Sequence, residues 1–531
     1  MGAEKIDASN GEFSDVSDHD GESNQPPLQR KLKNRHIAMI SIGGVIGTGL
    51  FVGTADSLMY GGPIGLLLGY MVMGTIVYCV MITLGEMVAF LPIPGGHIKL
   101  AERFVDPAFS FAMGWNYCYS WMITSEISAA ALLINYWNHT VNNSVWVVMC
   151  LVVVLTINML GAGAYGEAEF IFASIKVITI TVLIILGIVI DLGGGPNHDR
   201  IGFRYWKNPG PFVQYNGIEG AKGRFLGWCA VLTQAAFSFI GTEIVAIAAG
   251  EAKNPRRNLP KAIRRVYIRI LVFYIGGTLV IGLLVPSNNP LLKLSSNTAR
   301  SPFVIAVEMA GIKYLPSVSR TCLSFFTSKF LIATQTRFQL IEINVLVDGL
   351  AASRNAPKFF LKTTRNGLPY VAVLFCASFS LLAFMAVSTS AGSVFIWFSN
   401  MTAVAGLLTW FGISVTYVRF YKGMQVQGID RKTLPYYTNL QPYAAWWGVV
   451  STITICFVFT NYFPLIAWPI LYVGARFYYG TKPVAAEDMD FKSDLAEIVA
   501  DTYDELPPKN KMEAFWQWLS SLMIVNYITC S

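Results

Sequence analysis

Residues 41–51 read Ser-Ile-Gly-Gly-Val-Ile-Gly-Thr-Gly-Leu-Phe, with Gly43, Gly44, Gly47 and Gly49 inside an apolar run from Ile37 to Ala55. An apolar run of about 20 residues is what one helical crossing of a bilayer needs. Glycine weakens a helix interior, so this run is suited both to crossing a membrane and to losing its coil part-way. A partial copy of the pattern, Ile240-Gly-Thr-Glu243, echoes Ile46-Gly-Thr-Gly49 five apolar runs later. An odd offset turns the second copy over relative to the membrane, and paired glycine-interrupted spans point to an inverted-repeat transporter. Close helix packing through small residues is the competing explanation.

Composition agrees with the membrane reading. The 531 residues are 54% hydrophobic and 13% charged, against about 25% charged in soluble domains, which excludes an ordinary water-soluble enzyme. No charge occurs from Ser57 to Gly85, Ile127 to Gly166, Asn366 to Val418 or Thr433 to Ala475. The fold class is therefore an all-α polytopic membrane protein. Apolar runs place helix 1 at Ile37 to Ala55, helix 2 at Ile64 to Leu84, helix 3 at Phe109 to Trp137, helix 4 at Val145 to Leu160 and helix 5 at Ala168 to Ile190. Helix 6 is expected at Phe225 to Gly250, helix 7 at Ile268 to Val285, helix 9 at Tyr370 to Val387 and helix 10 at Val394 to Tyr417, with helices 11 and 12 sharing Ala444 to Ala475. Helix 8 belongs between Tyr314 and Asp348, where Arg320, Lys329, Arg337 and Glu342 interrupt it.

The net charge of +7 reads as topology rather than as a nucleic-acid surface, because short loops rich in Lys and Arg stay cytoplasmic. Arg30, Lys31, Lys33 and Arg35 precede helix 1. Lys99 and Arg103 follow helix 2, Lys253 to Arg265 follow helix 6, Arg354 to Arg365 follow helix 8, and Arg419 to Lys432 follow helix 10. The uncharged loop after helix 3 carries two glycosylation sequons, Asn138-His-Thr140 and Asn142-Asn-Ser144, which suits an outside face. Both termini then lie in the cytoplasm, which requires an even number of spans, most simply 12 transmembrane helices. The chain divides into an acidic, disordered cytoplasmic tail (1–29), a transmembrane domain (30–482) and a cytoplasmic C-terminal tail (483–531), charged and disordered to about 512.

Four stretches resemble the fungal amino-acid permeases of the amino acid, polyamine and organocation superfamily: Ser41 to Phe51; Leu84-Gly-Glu-Met-Val-Ala89 with Pro94-Gly-Gly96; Phe237-Ser-Phe-Ile-Gly-Thr-Glu243; and Gly250-Glu-Ala-Lys-Asn-Pro-Arg-Arg-Asn-Leu-Pro260. The resemblance implies two inverted five-helix repeats plus helices 11 and 12, and proton-coupled amino-acid uptake at the plasma membrane. Its implied partners are an amino acid, protons and the lipid bilayer; no cofactor, metal or nucleic acid is implied.

An amino acid presents a carboxylate and an ammonium that must leave water together. At Gly47, Thr48 and Gly49, freed N–H groups and the positive end of the following half-helix can hold the carboxylate. Where helix 6 breaks at Gly241, the carbonyls of Phe239 and Ile240 can accept from the ammonium. The resemblance gives these positions the same roles and makes Phe237 an aromatic gate; otherwise an aromatic in an apolar span is core or lipid contact. Glu243 is an acid in mid-span, a functional candidate by default, able to load a proton on one side and release it on the other. Lys176 looks like the helix 5 lysine that stands in place of a sodium ion in sodium-independent relatives, though its position also allows snorkelling to the interface. Glu126 is a third buried acid whose partner the sequence does not name.

No enzyme is expected. The histidines, His19, His36, His97, His139 and His198, lie in tails, loops or span ends, and the eight cysteines have no metal-ligand spacing. The resemblance fails from Ser317 to Asp348 and returns at Gly349. Each charge at a helix centre costs about 2.5 to 3.5 kcal/mol on insertion scales, so this stretch opposes insertion. Two consequences stay open: an amino-acid sensor with little transport, or a non-functional permease. A misplaced exon boundary or a decayed gene copy accounts for the stretch. Transcript sequencing is expected to return a different reading of residues 317–348; a message that encodes them as written removes the exon explanation.

Overall fold

The computed structural model describes residues 46–500 except 94, 121–123, 136–140, 160–164, 245–255, 257–259, 261–262, 264–265, 294–300, 313–349, 351–354, 363–369, 388–390 and 459–461. Among the described residues every regular element is helical. The expected helix 8, the atypical stretch 317–348, the acidic tail 1–29 and the Asn138 sequon fall outside them.

Among the described residues, four helices are long and apolar enough to cross a membrane: Gly49–Phe90, Ala173–Asp191, Val266–Leu284 and Gly392–Val426. The first has 42 residues. At ~1.5 Å per residue that is about twice the ~30 Å hydrocarbon thickness. It holds both helix 1 and helix 2, separated at Gly62, where φ is 73° and ψ is 177°, a region essentially reserved for glycine. Pro63 follows and can donate no hydrogen bond. The Pro211 carbonyl accepts from the Ile64 N–H at 3.1 Å, and a Cβ on Gly62 would meet that oxygen at 2.8 Å. The loop between helices 5 and 6 therefore seats on the corner only because residue 62 has no side chain.

Helix 3 occupies Pro107–Ser120 and Thr124–Asn135, helix 4 Asn143–Met159, helix 5 Tyr165–Asp191 and helix 6 Gly220–Phe239. Helix 7 contains a π-turn, Ile270–Ile275, continued by Gly276–Leu284; helix 9 is Tyr370–Phe379 with a 3-10 extension, Ser380–Val387. Helix 10 is Ala391–Val426, and helices 11 and 12 are Tyr443–Val458 and Phe463–Tyr479. Among the described residues, four short α-helices were not anticipated by the apolar runs: Gly96–Phe104, Arg204–Lys207, Pro302–Met309 and Leu495–Ala500.

Helix 5 shows how lipid-facing and core-facing residues sort. Ile178, Val182, Ile185 and Val189 are exposed, whereas Ala173, Lys176, Ile180 and Leu183 are buried. Both sets recur at three- and four-residue intervals, which puts each on its own helical face. Helices 1 and 2 press closely onto helix 6: a Cβ on Gly69 would lie 2.5 Å from Val231, and one on Gly227 2.4 Å from the Tyr60 carbonyl oxygen. Small residues permit this approach where apolar burial gives little drive between helices in lipid.

Disorder was expected from 483 to about 512, but residues 484–495 are packed onto the rest of the chain. The Val484 N–H donates to the Val105 carbonyl at 2.9 Å, and the Val484 carbonyl accepts from Arg419. Met489 and Phe491 are buried, with Phe491 against the rings of Phe104 at 5.1 Å, Phe420 at 5.4 Å and Phe90 at 6.3 Å. Arg103 binds the segment through Asp490 at 2.6 Å, Asp494 at 3.0 Å and the Ser493 carbonyl at 2.8 Å. Partial burial opposes ionisation of Asp490, but N–H groups of Ser493 and Lys492 and the Arg103 charge outweigh it and hold its carboxyl at about 2. Because that value is depressed, the clasp is intact above the usual carboxylate range and is lost only as pH falls toward 2. With Asp490 42% and Asp494 56% exposed, each of these ion pairs contributes at most about 1 kcal/mol. Arg103→Ala is expected to speed limited proteolysis within residues 484–500 about tenfold by freeing a locally unfolding segment; an unchanged cleavage rate rules the clasp out.

Candidate functional site in the broken helices

Helix 1 begins its described coil at Gly47. Leu50 and Phe51 N–H groups both donate to the Gly47 carbonyl, at 3.2 and 3.4 Å, so Thr48 and Gly49 precede the first helical N–H donor among the described residues. The turn that follows, Gly49–Gly53, is a π-helix. Such turns are uncommon and concentrate at functional sites. Helix 6 ends at Phe239. Ile240 is extended, with φ −57° and ψ 143°, and Gly241 takes φ +94°, a left-handed value that only glycine adopts without cost. The expected interruption of helix 6 is thus present at Ile240–Gly241.

The helix 6 interruption neighbours the first described turn of helix 1. A Cβ on Gly49 would fall 2.5 Å from the Ser238 Cα, so helix 1 touches helix 6 backbone to backbone. Ser238 is held from three directions: its hydroxyl donates to the Gln234 carbonyl at 2.9 Å, its oxygen lies 2.7 Å from the Tyr70 hydroxyl, and its carbonyl accepts from Tyr274 at 2.9 Å. Phe239 stacks on Tyr274 with ring centroids 4.1 Å apart. Phe237 is 8% exposed and meets Phe395 edge-on at 5.8 Å, a contact between helix 6 and helix 10.

Each candidate ionisable residue is buried, in one of two groups. Glu126, 2% exposed, accepts from the Thr48 hydroxyl at 2.9 Å. Lys176 is also 2% exposed and lies within electrostatic reach of Glu126. Its place on the buried face of helix 5 decides against snorkelling. Thr48, Glu126 and Lys176 therefore join helices 1, 3 and 5 just beside the Gly47–Gly49 turn, and Thr48 is the partner the sequence could not supply for Glu126. In the second group Glu243, fully buried, accepts from the Trp410 indole N–H at 3.0 Å and the Gly241 N–H at 3.3 Å. Arg269 acts on Glu243 electrostatically.

Sequence reasoning missed Tyr70, Ser238, Trp410 and Arg269. Arg269 is 1% exposed and donates to the Thr242 hydroxyl at 2.9 Å. A signal existed: Arg269 falls inside the apolar run of helix 7 rather than before it. The acids nearer the loops are paired. Glu86 accepts from Tyr417 and from Thr438, and lies 3.8 Å from Arg431 in the loop after helix 10, while Glu102 pairs with Lys99 at 2.8 Å.

A family model for amino acid permeases matches residues 36–471, most of the chain. The chain belongs to the amino acid permease family. Among the permeases it resembles, the lysine-specific permease of Saccharomyces cerevisiae is 39% identical over 515 residues, covering 92% of this chain and 82% of that protein. The proline-specific permease of Emericella nidulans is 39% identical, covering 92% of this chain and 93% of its own. The general amino-acid permease GAP1 of Saccharomyces cerevisiae is 37% identical, over 90% and 82%. The matched residues include the break in helix 6 and both buried acid groups. Gly49→Ala would push a methyl group into the Ser238 backbone, an overpacking that costs about 1–3 kcal/mol; labelled amino-acid uptake per folded transporter is expected to fall about tenfold or more, and normal uptake by this variant removes the close approach.

Proposed function

We propose that this permease is a proton-coupled amino-acid importer of the plasma membrane, with both termini cytoplasmic and the substrate held between the broken helices 1 and 6 during alternating access. The observation that carries the reading is the Ile240–Gly241 interruption of helix 6 lying against the Gly47–Gly49 turn of helix 1. Backbone groups leaving a helix supply both signs of partial charge at its ends. The N–H groups at Thr48 and Gly49 suit a carboxylate, the helix 6 carbonyls suit an ammonium, and Phe237 stands beside them as the aromatic cover. A zwitterion is thereby held by dipoles rather than by ionised side chains, which keeps the site usable after the substrate leaves.

Glu243 is the proton carrier in this reading. Its carboxyl faces two neutral donors and one buried cation, so it has support in the charged form and is secluded from water in the neutral form. Lys176 and Glu126 occupy the place beside helix 1 where a fixed cation substitutes for a coupling ion. An amino-acid sensor with little flux is the second reading, favoured by the charged stretch 317–348; labelled flux measured beside binding affinity separates the two. Glu243→Gln, which is permanently neutral, is expected to abolish uphill accumulation driven by a pH gradient while retaining part of the exchange of internal for external amino acid. Undiminished accumulation would take Glu243 out of the coupling step.

A further inference from the structure

Helix 7 meets the break in helix 6 through its π-turn, Ile270–Ile275. Hydrogen bonds from residue i to i+5 widen such a turn and bring side chains five apart toward a common face. Arg269 directly precedes the turn and Tyr274 stands five residues on; both are buried, and both reach helix 6. Tyr274 donates to the Ser238 carbonyl at 2.9 Å. Arg269 Nη2 donates to the Thr242 hydroxyl oxygen at 2.9 Å. A guanidinium has only donors, so the Thr242 oxygen must accept there, and its single hydrogen is committed elsewhere. It goes to the Phe239 carbonyl, at 2.6 Å. The Gly241 carbonyl accepts from the Ile244 N–H at 3.2 Å. Of the carbonyls at the break, Ser238, Phe239 and Gly241 are thus engaged, and only that of Ile240 has no donor among the described residues.

We propose that Arg269 is a positioning residue for substrate recognition: acting through Thr242, with Tyr274 beside it, it caps the Phe239 and Ser238 carbonyls and leaves the Ile240 carbonyl to receive the ammonium of the amino acid. The inference rests on the amino-acid importer reading and refines it, because Phe239 becomes a capped group rather than a ligand. A buried guanidinium suits this task, since it fixes the direction of a hydroxyl without ever competing as an acceptor. Without the cap, the turn from Phe239 to Thr242 must be ordered when substrate arrives, and that ordering subtracts from affinity.

The test measures binding by the purified full-length protein, as thermal stabilisation in detergent by each proteinogenic L-amino acid, so that coupling and flux do not enter. With the amino acid that stabilises the wild type most, Thr242→Val is expected to weaken affinity about tenfold, as is Arg269→Gln. In the Thr242→Val background, adding Arg269→Gln should change affinity by less than about twofold, because a residue acting through its neighbour is not additive with it. Thr242→Ser and Arg269→Lys should retain most of the affinity. If Arg269→Gln does not fold, the contrast between Thr242→Val and Thr242→Ser decides alone. Additive losses, or full affinity in Thr242→Val, overturn the relay and leave the importer reading standing. Stabilisation of the wild type by no amino acid overturns the importer reading and the relay together.

Discussion

A peptide group that leaves its helix inside a bilayer finds no water to bond, and each such group costs several kcal/mol if it stays bare. That penalty governs the region where helix 6 stops. The Gly241 N–H turns to the Glu243 carboxyl, the Phe239 carbonyl to the Thr242 hydroxyl and the Ser238 carbonyl to Tyr274. On the facing side, the Phe51 carbonyl of helix 1 accepts from Ser301. The interruption is a supported turn, with its donors drawn from helices 6, 7 and 10. Its stability therefore depends on neighbours more than on its own sequence.

The same economy distinguishes the buried acids. Glu86 receives the Tyr417 hydroxyl and both the N–H and hydroxyl of Thr438, with Arg431 close by. A carboxylate with that many strong donors is a fixed tie between helix 2 and the loop after helix 10. Glu243 has an indole N–H at 3.0 Å and one long backbone contact at 3.3 Å. Glu126 accepts from the Thr48 hydroxyl on one oxygen and has Lys176 nearby, while its second oxygen is bonded to none of the described residues.

At the other end of helix 2, the chain beyond helix 12 returns to lie across the Gly96–Phe104 helix and helix 10. Phe491 fills a pocket of three phenylalanines while Arg103 gathers two aspartates and two carbonyls. Apolar burial and charge pairing coincide within eight residues, and this combination orders a segment whose composition alone reads as a solvated tail. Gly423 makes room for it, since a Cβ there would sit 2.4 Å from Met489.

Much of the architecture was legible in the amino-acid order. Charge-free runs marked the apolar helices, because a bilayer excludes charge whatever the fold, and Gly241 marked where helix 6 stops, because that property is local to the residue. The sequence left Lys176 open between the interior and the interface, and its burial was decided by the face it occupies in the packed helix 5. Other features waited for the tertiary structure: that Thr48 answers Glu126, that Trp410 answers Glu243, that Arg269 reaches Thr242 beyond the end of helix 6, and that residues 484–495 fold back. Each of these joins residues from well-separated stretches of chain, and a hydrogen-bond partner is chosen by proximity in space. Local order determines which groups need a partner; only the packing of helices decides which group arrives.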